Sequence, residues 1–183
     1  MIDLPITEAH IRSTLTAYLD EHPEENPDLV SVIRLLDAGA NLASRSEFRG
    51  HATAGAIVAG ADGRILHIHH LATGKWLLPG GHLEPEDNSL LQAAGRELTE
   101  ETGIPAHVIT PHGKDPLHID VHPIDANPLK DEPAHQHFDF RFLFRTNADI
   151  GALQTEEVSD AAWRETDSLN DEHLRRRIIQ ALR

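Results

Sequence analysis

The sequence predicts a mixed-sheet α/β sandwich with a helical pair at its N-terminal end, and three observations carry that expectation. Apolar residues recur at helical spacing through roughly the first 45 positions, then switch to alternation and short apolar runs from about residue 50. Beyond that point strands and helices interleave without regular βαβ repetition, internal repeat or low-complexity tract. The length, 183 residues, suits one domain of ordinary size with a small appendage. The expected division is a helical appendage at 1–47 and a main domain at 48–183.

Each element has a local reason. Thr7 is placed to cap a first helix that carries Ile11, Leu15 and Leu19 on one face and ends near Pro23. A second helix follows Pro27, with Leu29, Val32 and Leu36 apolar, and stops at Gly39. The pair reads equally as a packing appendage, a homodimer element or a substrate lid. Ala52–Ala59 is small and apolar, and Asp62-Gly63 marks a hairpin turn. Arg64–His70 alternates, with Leu66 and Ile68 separated by His67 and His69. Trp76-Leu77-Leu78 leads into Pro79-Gly80-Gly81. A helix capped by Ser89 or Asn88 then runs to Thr102, where Gly103 suits a left-handed end. Strands are expected at about 116–123 and 136–145. Asn170–Arg183 closes as a helix with Leu174, Ile178 and Leu182 on one stripe.

Composition removes several function classes. With 16 basic and 30 acidic residues the formal charge is −14, which opposes binding of polymeric nucleic acid. A phosphate-bearing small molecule stays compatible, because a divalent cation inverts the local field of an acidic pocket. Cysteine is absent, which excludes disulfides, zinc–thiolate sites and a thiol nucleophile. The start, MIDLPITEAH, lacks a basic segment followed by an apolar one, and no apolar run nears the roughly 20 residues that span a bilayer. A cytoplasmic protein without membrane attachment is expected. The 14 histidines read as solvated surface unless they cluster.

The most informative stretch runs from Gly80-Gly81-His82-Leu83-Glu84 to Ile104. Glu97, Glu100 and Glu101 stand at i, i+3 and i+4 and share a helix face, beside a stripe of Leu91, Ala94 and Leu98 that can pack on a sheet. Three carboxylates held together repel one another, and Arg96 supplies a single cation among them. Hard oxygen ligands grouped this way suit Mg²⁺, with Mn²⁺ as a substitute. An isolated string of this kind reads as a solvated acidic face. Here a Gly-Gly turn and Glu84 precede it at a spacing that folds back as loop–helix–loop.

The segment Gly81 to Ile104 resembles the Nudix box, whose pattern is Gly, five residues, Glu, seven residues, then Arg-Glu-aliphatic-any-Glu-Glu-any-Gly-aliphatic. Arg96 through Ile104 matches at every position. The first half departs: Gly81 to Arg96 is one residue longer, and the inner Glu is replaced by Asp87, or by Glu86 in another alignment. The resemblance implies a Nudix-like α/β/α sandwich. It also implies Mg²⁺-dependent hydrolysis of a pyrophosphate bond in a nucleoside diphosphate linked to another moiety, by water attack at phosphorus. By the same resemblance Glu97, Glu101 and Glu100 are metal ligands, and the Gly81 carbonyl completes the shell. Arg96 either orients a box glutamate or pairs with Glu100 at the surface. Glu84 is a further ligand or a loop brace. The water's proton passes to Glu100 or Glu97, or to an acid outside the box. Glu156 and Glu157 are candidates of that kind, or else solvated loop acids.

Two further segments alternate strictly. His118, Asp120 and His122 share one strand face, as do His135, His137, Asp139 and Arg141, while Phe138, Phe140, Phe142 and Phe144 line the opposite face as core. If the two strands are neighbours, their polar face lines the substrate pocket beside the box, binds a second metal, or is simply solvated. His82, Glu84, His137, Asp139 and Arg141 are the substrate-binding candidates. Two other functions compete with hydrolysis. A catalytically silent nucleotide-binding sensor need not keep Glu97, Glu100 and Glu101. An isopentenyl-diphosphate-isomerase-like enzyme uses a cysteine that this chain lacks.

Overall fold

A computed structural model describes residues 5–183; Met1–Leu4, part of the start read above for a leader, lie outside the described residues. In chain order the elements are α1 (Glu8–Glu21), α2 (Val30–Asp37), β1 (His51–Ala59), β2 (Ile65–His70), β3 (Lys75–Leu77), β4 (Gly80–His82), α3 (Leu90–Thr102), β5 (Thr110–Pro111), β6 (His118–Ile124), β7 (His135–Arg145), β8 (Val158–Arg164) and α4 (Glu172–Ala181). Among the described residues no helix is long and apolar enough to cross a membrane.

The strands join in one eight-stranded mixed sheet. β1 runs parallel to β7 along its whole length, with His51 opposite His137, Thr53 opposite Asp139 and Gly55 opposite Arg141. β2 and β4 pair with β1 antiparallel, and β3 and β8 pair with β2. On the far side of β7 lie β6 and the short β5, both antiparallel. The β1–β2 connection turns at Gly63, whose φ of +80° is open to glycine at little cost.

Alternation divides the sheet into two buried faces. On one, Phe138, Phe140, Phe142 and Phe144 lie beside Ala52, Ala54, Ala56 and Val58, whose small side chains make room for the rings. Leu90, Ala93, Ala94 and Leu98 of α3 pack on this face. Ile11, Leu15 and Tyr18 of α1 and Val32 and Leu36 of α2 belong to the same cluster. On the other face Ile57, Ala59, Ile65 and Leu143 lie under Leu174 and Ile178 of α4. This is the expected sandwich, with the phenylalanines in the core.

The N-terminal helices form as the pattern predicts: the Thr7 hydroxyl accepts from the His10 N–H at 3.2 Å, and Gly39 takes φ +70° after α2. Tyr18 is buried on the inner stripe where Leu19 was expected, and Leu19 is only half-buried. The helices are tied on both sides of the sheet. The Leu90 N–H donates to His10 Nε2 at 3.2 Å, while Arg177 of α4 donates to the Tyr18 hydroxyl and pairs with Glu25 at 2.6 Å. The pair therefore shares the core of the main domain.

The expected alternation of the 64–70 segment needs correction. Ile65, Leu66, His67 and Ile68 are all buried, with Leu66 in the phenylalanine cluster and Ile65 in the cluster of Leu174 and Ile178 of α4. The buried His67 ring is satisfied by the Ile65 carbonyl at 3.1 Å. The strand placed at about 116–123 spans His118–Ile124, and Val158–Arg164 is a strand paired to β2.

Candidate active site

Helix α3 is fixed at both ends, and this positions its carboxylates. The Ser89 hydroxyl accepts from the Gln92 N–H at 3.1 Å, and Gly103 ends the helix at φ +67°. The Gly103 backbone lies directly on Gly151 and Ala152, too close for any side chain, and the Gly151 N–H donates to the Thr102 carbonyl at 2.9 Å. The helix end is thus locked to the loop that carries Glu157.

Glu97 and Glu101 face the Gly-Gly strand β4. The Glu101 side chain is 1 % exposed, and its Oε2 accepts from the Gly80 N–H at 2.9 Å. The Glu97 carboxylate rests on Gly81, where a Cβ would stand 2.6 Å from Oε1 and 2.8 Å from Oε2. Only glycine leaves that space. Burial pushes the Glu97 carboxyl up to about 7, against the pull of Arg96 and with the help of the Glu100 and Glu157 charges. Burial pushes Glu101 further, to about 8; the Gly80 N–H opposes this, and Glu97, Glu157 and Glu100 add to it. Glu100 sits at the mouth, exposed. Glu157 acts on both buried acids, so the loop acid outside the box belongs to the same field.

Arg96 organises this group. Its Nε and Nη2 donate to the two oxygens of Asp87 at 3.0 and 2.9 Å, and Asp87 is 1 % exposed. Nη2 also donates to the His82 carbonyl, and Nη1 donates to Glu97 and Glu100, all at 3.0 Å. Arg96 thus orients Glu97 and pairs with Glu100 at once. Asp87, not the exposed Glu86, takes the inner acid place, and it accepts the Glu84 N–H at 2.8 Å as well. The turn at Pro85-Glu86 leaves the Glu84 side chain exposed.

Glu97 and Glu101, both set against the Gly80-Gly81 strand and each pushed up by burial and by the other's charge, form a cradle that a divalent cation fits. Glu97, Glu101 and the exposed Glu100 offer hard oxygens, and the missing Cβ of Gly81 lets the Glu97 carboxylate lie against the strand.

The other predicted residues lie elsewhere. β6 and β7 are neighbours, with Asp120 opposite Asp139 and His122 opposite His137. Because the phenylalanine face carries α3, the polar residues of β7 point to the opposite side of the sheet. There Thr53 and Arg141 donate to Asp139 at 3.1 and 2.8 Å, and Arg141 also donates to Asp120 at 2.9 Å. Burial favours protonation of Asp120, but the His122 hydrogen bond and the Arg141 charge bring its carboxyl down to about 2. His82, in the box loop, points the same way as these strand residues: its ring centroid is 5.2 Å from those of His51 and of His137. Of the substrate-binding candidates only Glu84 stays on the turn beside Asp87. His82, His137, Asp139 and Arg141 line the reverse face.

His51 was not singled out from the sequence, yet it stands at the centre of that histidine group, 1 % exposed, with ring centroids 4.9 Å from His135 and 4.8 Å from His137. Burial and the neighbouring rings hold His137 down to about 3 and, with Arg45, His82 down to about 4. The only signal for His51 was its place at the head of a small apolar strand; the parallel pairing that sets it beside His137 spans 86 residues of chain, the separation at which Thr53 reaches Asp139.

A family model described as the NUDIX domain matches residues 49–182. A probable DHNTP pyrophosphohydrolase of Lactococcus lactis is 37 % identical over 128 residues, covering 66 % of this chain and 69 % of that protein. Phosphatase NudJ of Escherichia coli K12 is 44 % identical over 70 residues, covering 36 % of this chain and 44 % of the relative's length. Among solved structures, a NUDIX-family hydrolase from Clostridium perfringens superposes with a TM-score of 0.55 at 21 % identity, covering 72 % of this chain and 95 % of that one, a likeness of fold.

Proposed function

The chain belongs to the Nudix hydrolase family, and on that premise we propose that it hydrolyses the pyrophosphate bond of a nucleoside diphosphate linked to another moiety, with Mg²⁺ held by the α3 carboxylates. The observation that carries this reading is the convergence of Glu97 and Glu101 on the Gly80-Gly81 strand, where burial and like charge favour a cation.

In this reading Glu97, Glu101 and Glu100 hold the ion, with the Gly81 carbonyl beside them. When bound, Mg²⁺ withdraws charge from phosphate oxygens and fixes a water for in-line attack, with Mn²⁺ able to substitute. Arg96 keeps the Glu97 carboxylate aimed at β4 and, through Asp87, fixes the loop that leads into the helix. Glu100, exposed at the mouth and held at one oxygen by Arg96, is the carboxylate we assign to accept the water's proton. The water oxygen forms the new bond to phosphorus as the bridging P–O bond breaks, and the leaving phosphate takes the electron pair. A cytoplasmic setting and a small nucleotide-type substrate, with no polymeric nucleic acid partner, belong to the same reading.

The test is a Mg²⁺-dependent hydrolysis screen over oxidised nucleoside triphosphates, ADP-ribose, nucleotide sugars, dinucleoside polyphosphates and, prompted by the Lactococcus relative, DHNTP. Glu100→Gln and Glu101→Gln are run alongside. Glu100→Gln should lose kcat with a smaller rise in Mg²⁺ half-saturation, whereas Glu101→Gln should lose most of its Mg²⁺ affinity. Equal inactivity of all three proteins on every substrate, with nucleotide binding retained, would establish the silent sensor instead.

A further inference from the structure

We propose that the imidazoles of His51, His135 and His137 form a second metal site, on the sheet face opposite the carboxylates, for a transition-metal dication of the zinc class. One ring nitrogen from each lies within 4.8 Å of those of the other two. The rings come from the start of β1 and the start of β7, which the parallel register sets side by side.

The hydrogen bonds already orient the rings as ligands. His51 Nδ1 faces the Glu47 carbonyl at 3.2 Å, and His135 Nδ1 faces the Pro133 carbonyl at 2.7 Å. A carbonyl only accepts, so each Nδ1 carries the proton and each Nε2 presents its lone pair. His135 Nε2 and His137 Nε2 are 3.2 Å apart. Two nitrogens bound at about 2.05 Å to a tetrahedral ion stand about 3.3 Å apart, so this pair is at ligand spacing. A hydrogen bond from His137 to His135 would explain that contact alone. It leaves His51 Nε2 buried without a partner, a state that native side chains rarely hold. A metal accounts for all three nitrogens after a ring movement of about 1.5 Å at most. His82 flanks the group, with its ring centroid 5.2 Å from those of His51 and His137.

Three imidazoles without a carboxylate select a borderline ion over Mg²⁺, so the two sites sort their metals by ligand chemistry. Bound there, the ion would staple β1 to β7. The inference is independent of the hydrolase reading, because it concerns different residues and is tested by binding alone.

The experiment uses full-length protein without an affinity tag, stripped by chelator and titrated with Zn²⁺ in excess Mg²⁺, with metal content counted after gel filtration. One zinc per chain and a raised Tm are expected. His135→Gln and His137→Gln should each weaken binding by at least about tenfold. Glu97→Gln should bind zinc as wild type does, and so should His173→Ala, which disrupts the other grouping of three such donors within 4.8 Å of one another among the described residues, Glu24, Glu25 and His173. Co²⁺-loaded wild type should show the visible bands of four-coordinate cobalt, and His137→Gln should lose them. Failure of wild type to retain zinc, wild-type binding by both histidine variants, or a loss that follows His173→Ala would each overturn the proposal.

Discussion

Replacing Gly81 by alanine separates the carboxylate site from the fold that supports it. The added Cβ would stand 2.6 Å from Glu97 Oε1, 2.7 Å from its carboxyl carbon and 2.8 Å from Oε2. Ordinary contact begins near 3.5 Å, so the carboxylate must retreat by about 0.9 Å. Oxygen ligands sit about 2.0–2.1 Å from Mg²⁺, with a tolerance of about 0.2 Å, so the movement is several times what the site absorbs. The overlap falls on the far end of a flexible side chain, and Gly81 is not among the glycines with positive φ, so the backbone needs no glycine here. The expected result is a Tm within a few degrees of wild type. The loss of kcat/KM should be about 10²-fold, or about 2.7 kcal/mol of transition-state stabilisation, with a raised Mg²⁺ half-saturation. Steady-state hydrolysis across a Mg²⁺ titration, beside thermal melts, reads both quantities. Wild-type turnover and metal dependence in Gly81→Ala would refute the placement of Glu97 as a ligand.

Three other outcomes follow from the same geometry. Arg96→Met leaves Asp87 buried and unpaired, so chemical denaturation should show a loss of about 3 kcal/mol; Arg96→Lys should recover only part of it, because lysine cannot copy the two-pronged contact. The metal-free protein should lose stability as pH rises from about 6.5 to about 8. The raised carboxyls of Glu97 and Glu101 hold protons in the folded state that the unfolded chain has already released, so their contribution disappears as pH climbs through their folded values. The lowered histidines act in the opposite sense, but only below about 6.5, where the unfolded rings gain protons. Denaturation at pH 6.5 and pH 8 should differ by up to about 2 kcal/mol without metal, and saturating Mg²⁺ should abolish the difference; a flat metal-free profile would count against the buried-acid account. Gly103→Ala forces a side chain into a left-handed position already filled by Gly151 and Ala152, and should cost about 3 kcal/mol in a denaturant melt.

The parts legible in the sequence are those specified locally. Helix α3 carries its own cap at Ser89, its own stop at Gly103 and an apolar stripe, read as Leu91, Ala94 and Leu98, in which Leu90 is buried more deeply than Leu91; its carboxylates could be placed on one face from spacing alone. The choice between Asp87 and Glu86 was not local. It depends on which acid the fold buries against Arg96, and that follows from the turn at Glu84. The strict alternation in β7 separated Phe138 to Phe144 from His137, Asp139 and Arg141. It could not tell which face would receive α3, and the phenylalanines took it. His51 was invisible for a related reason. Its importance comes from a parallel register with a strand more than 80 residues away, and no short-range pattern encodes that. The alternation in β2 failed as a guide because Ile65 packs with Leu174 and Ile178 of α4 and His67 is buried beside it.

Glu101→Gln tests the central claim most directly, because it separates a metal site from a structural one by sign. The substitution removes a buried charge set against Glu97 and Glu157 while keeping the side chain's shape. At pH 8, metal-free Glu101→Gln should melt above metal-free wild type, gain nothing from Mg²⁺, and lose hydrolysis by at least about 10²-fold. A variant that melts lower without metal, still gains stability from Mg²⁺ as wild type does, and turns over substrate normally would contradict the assignment of α3 as the metal-binding helix.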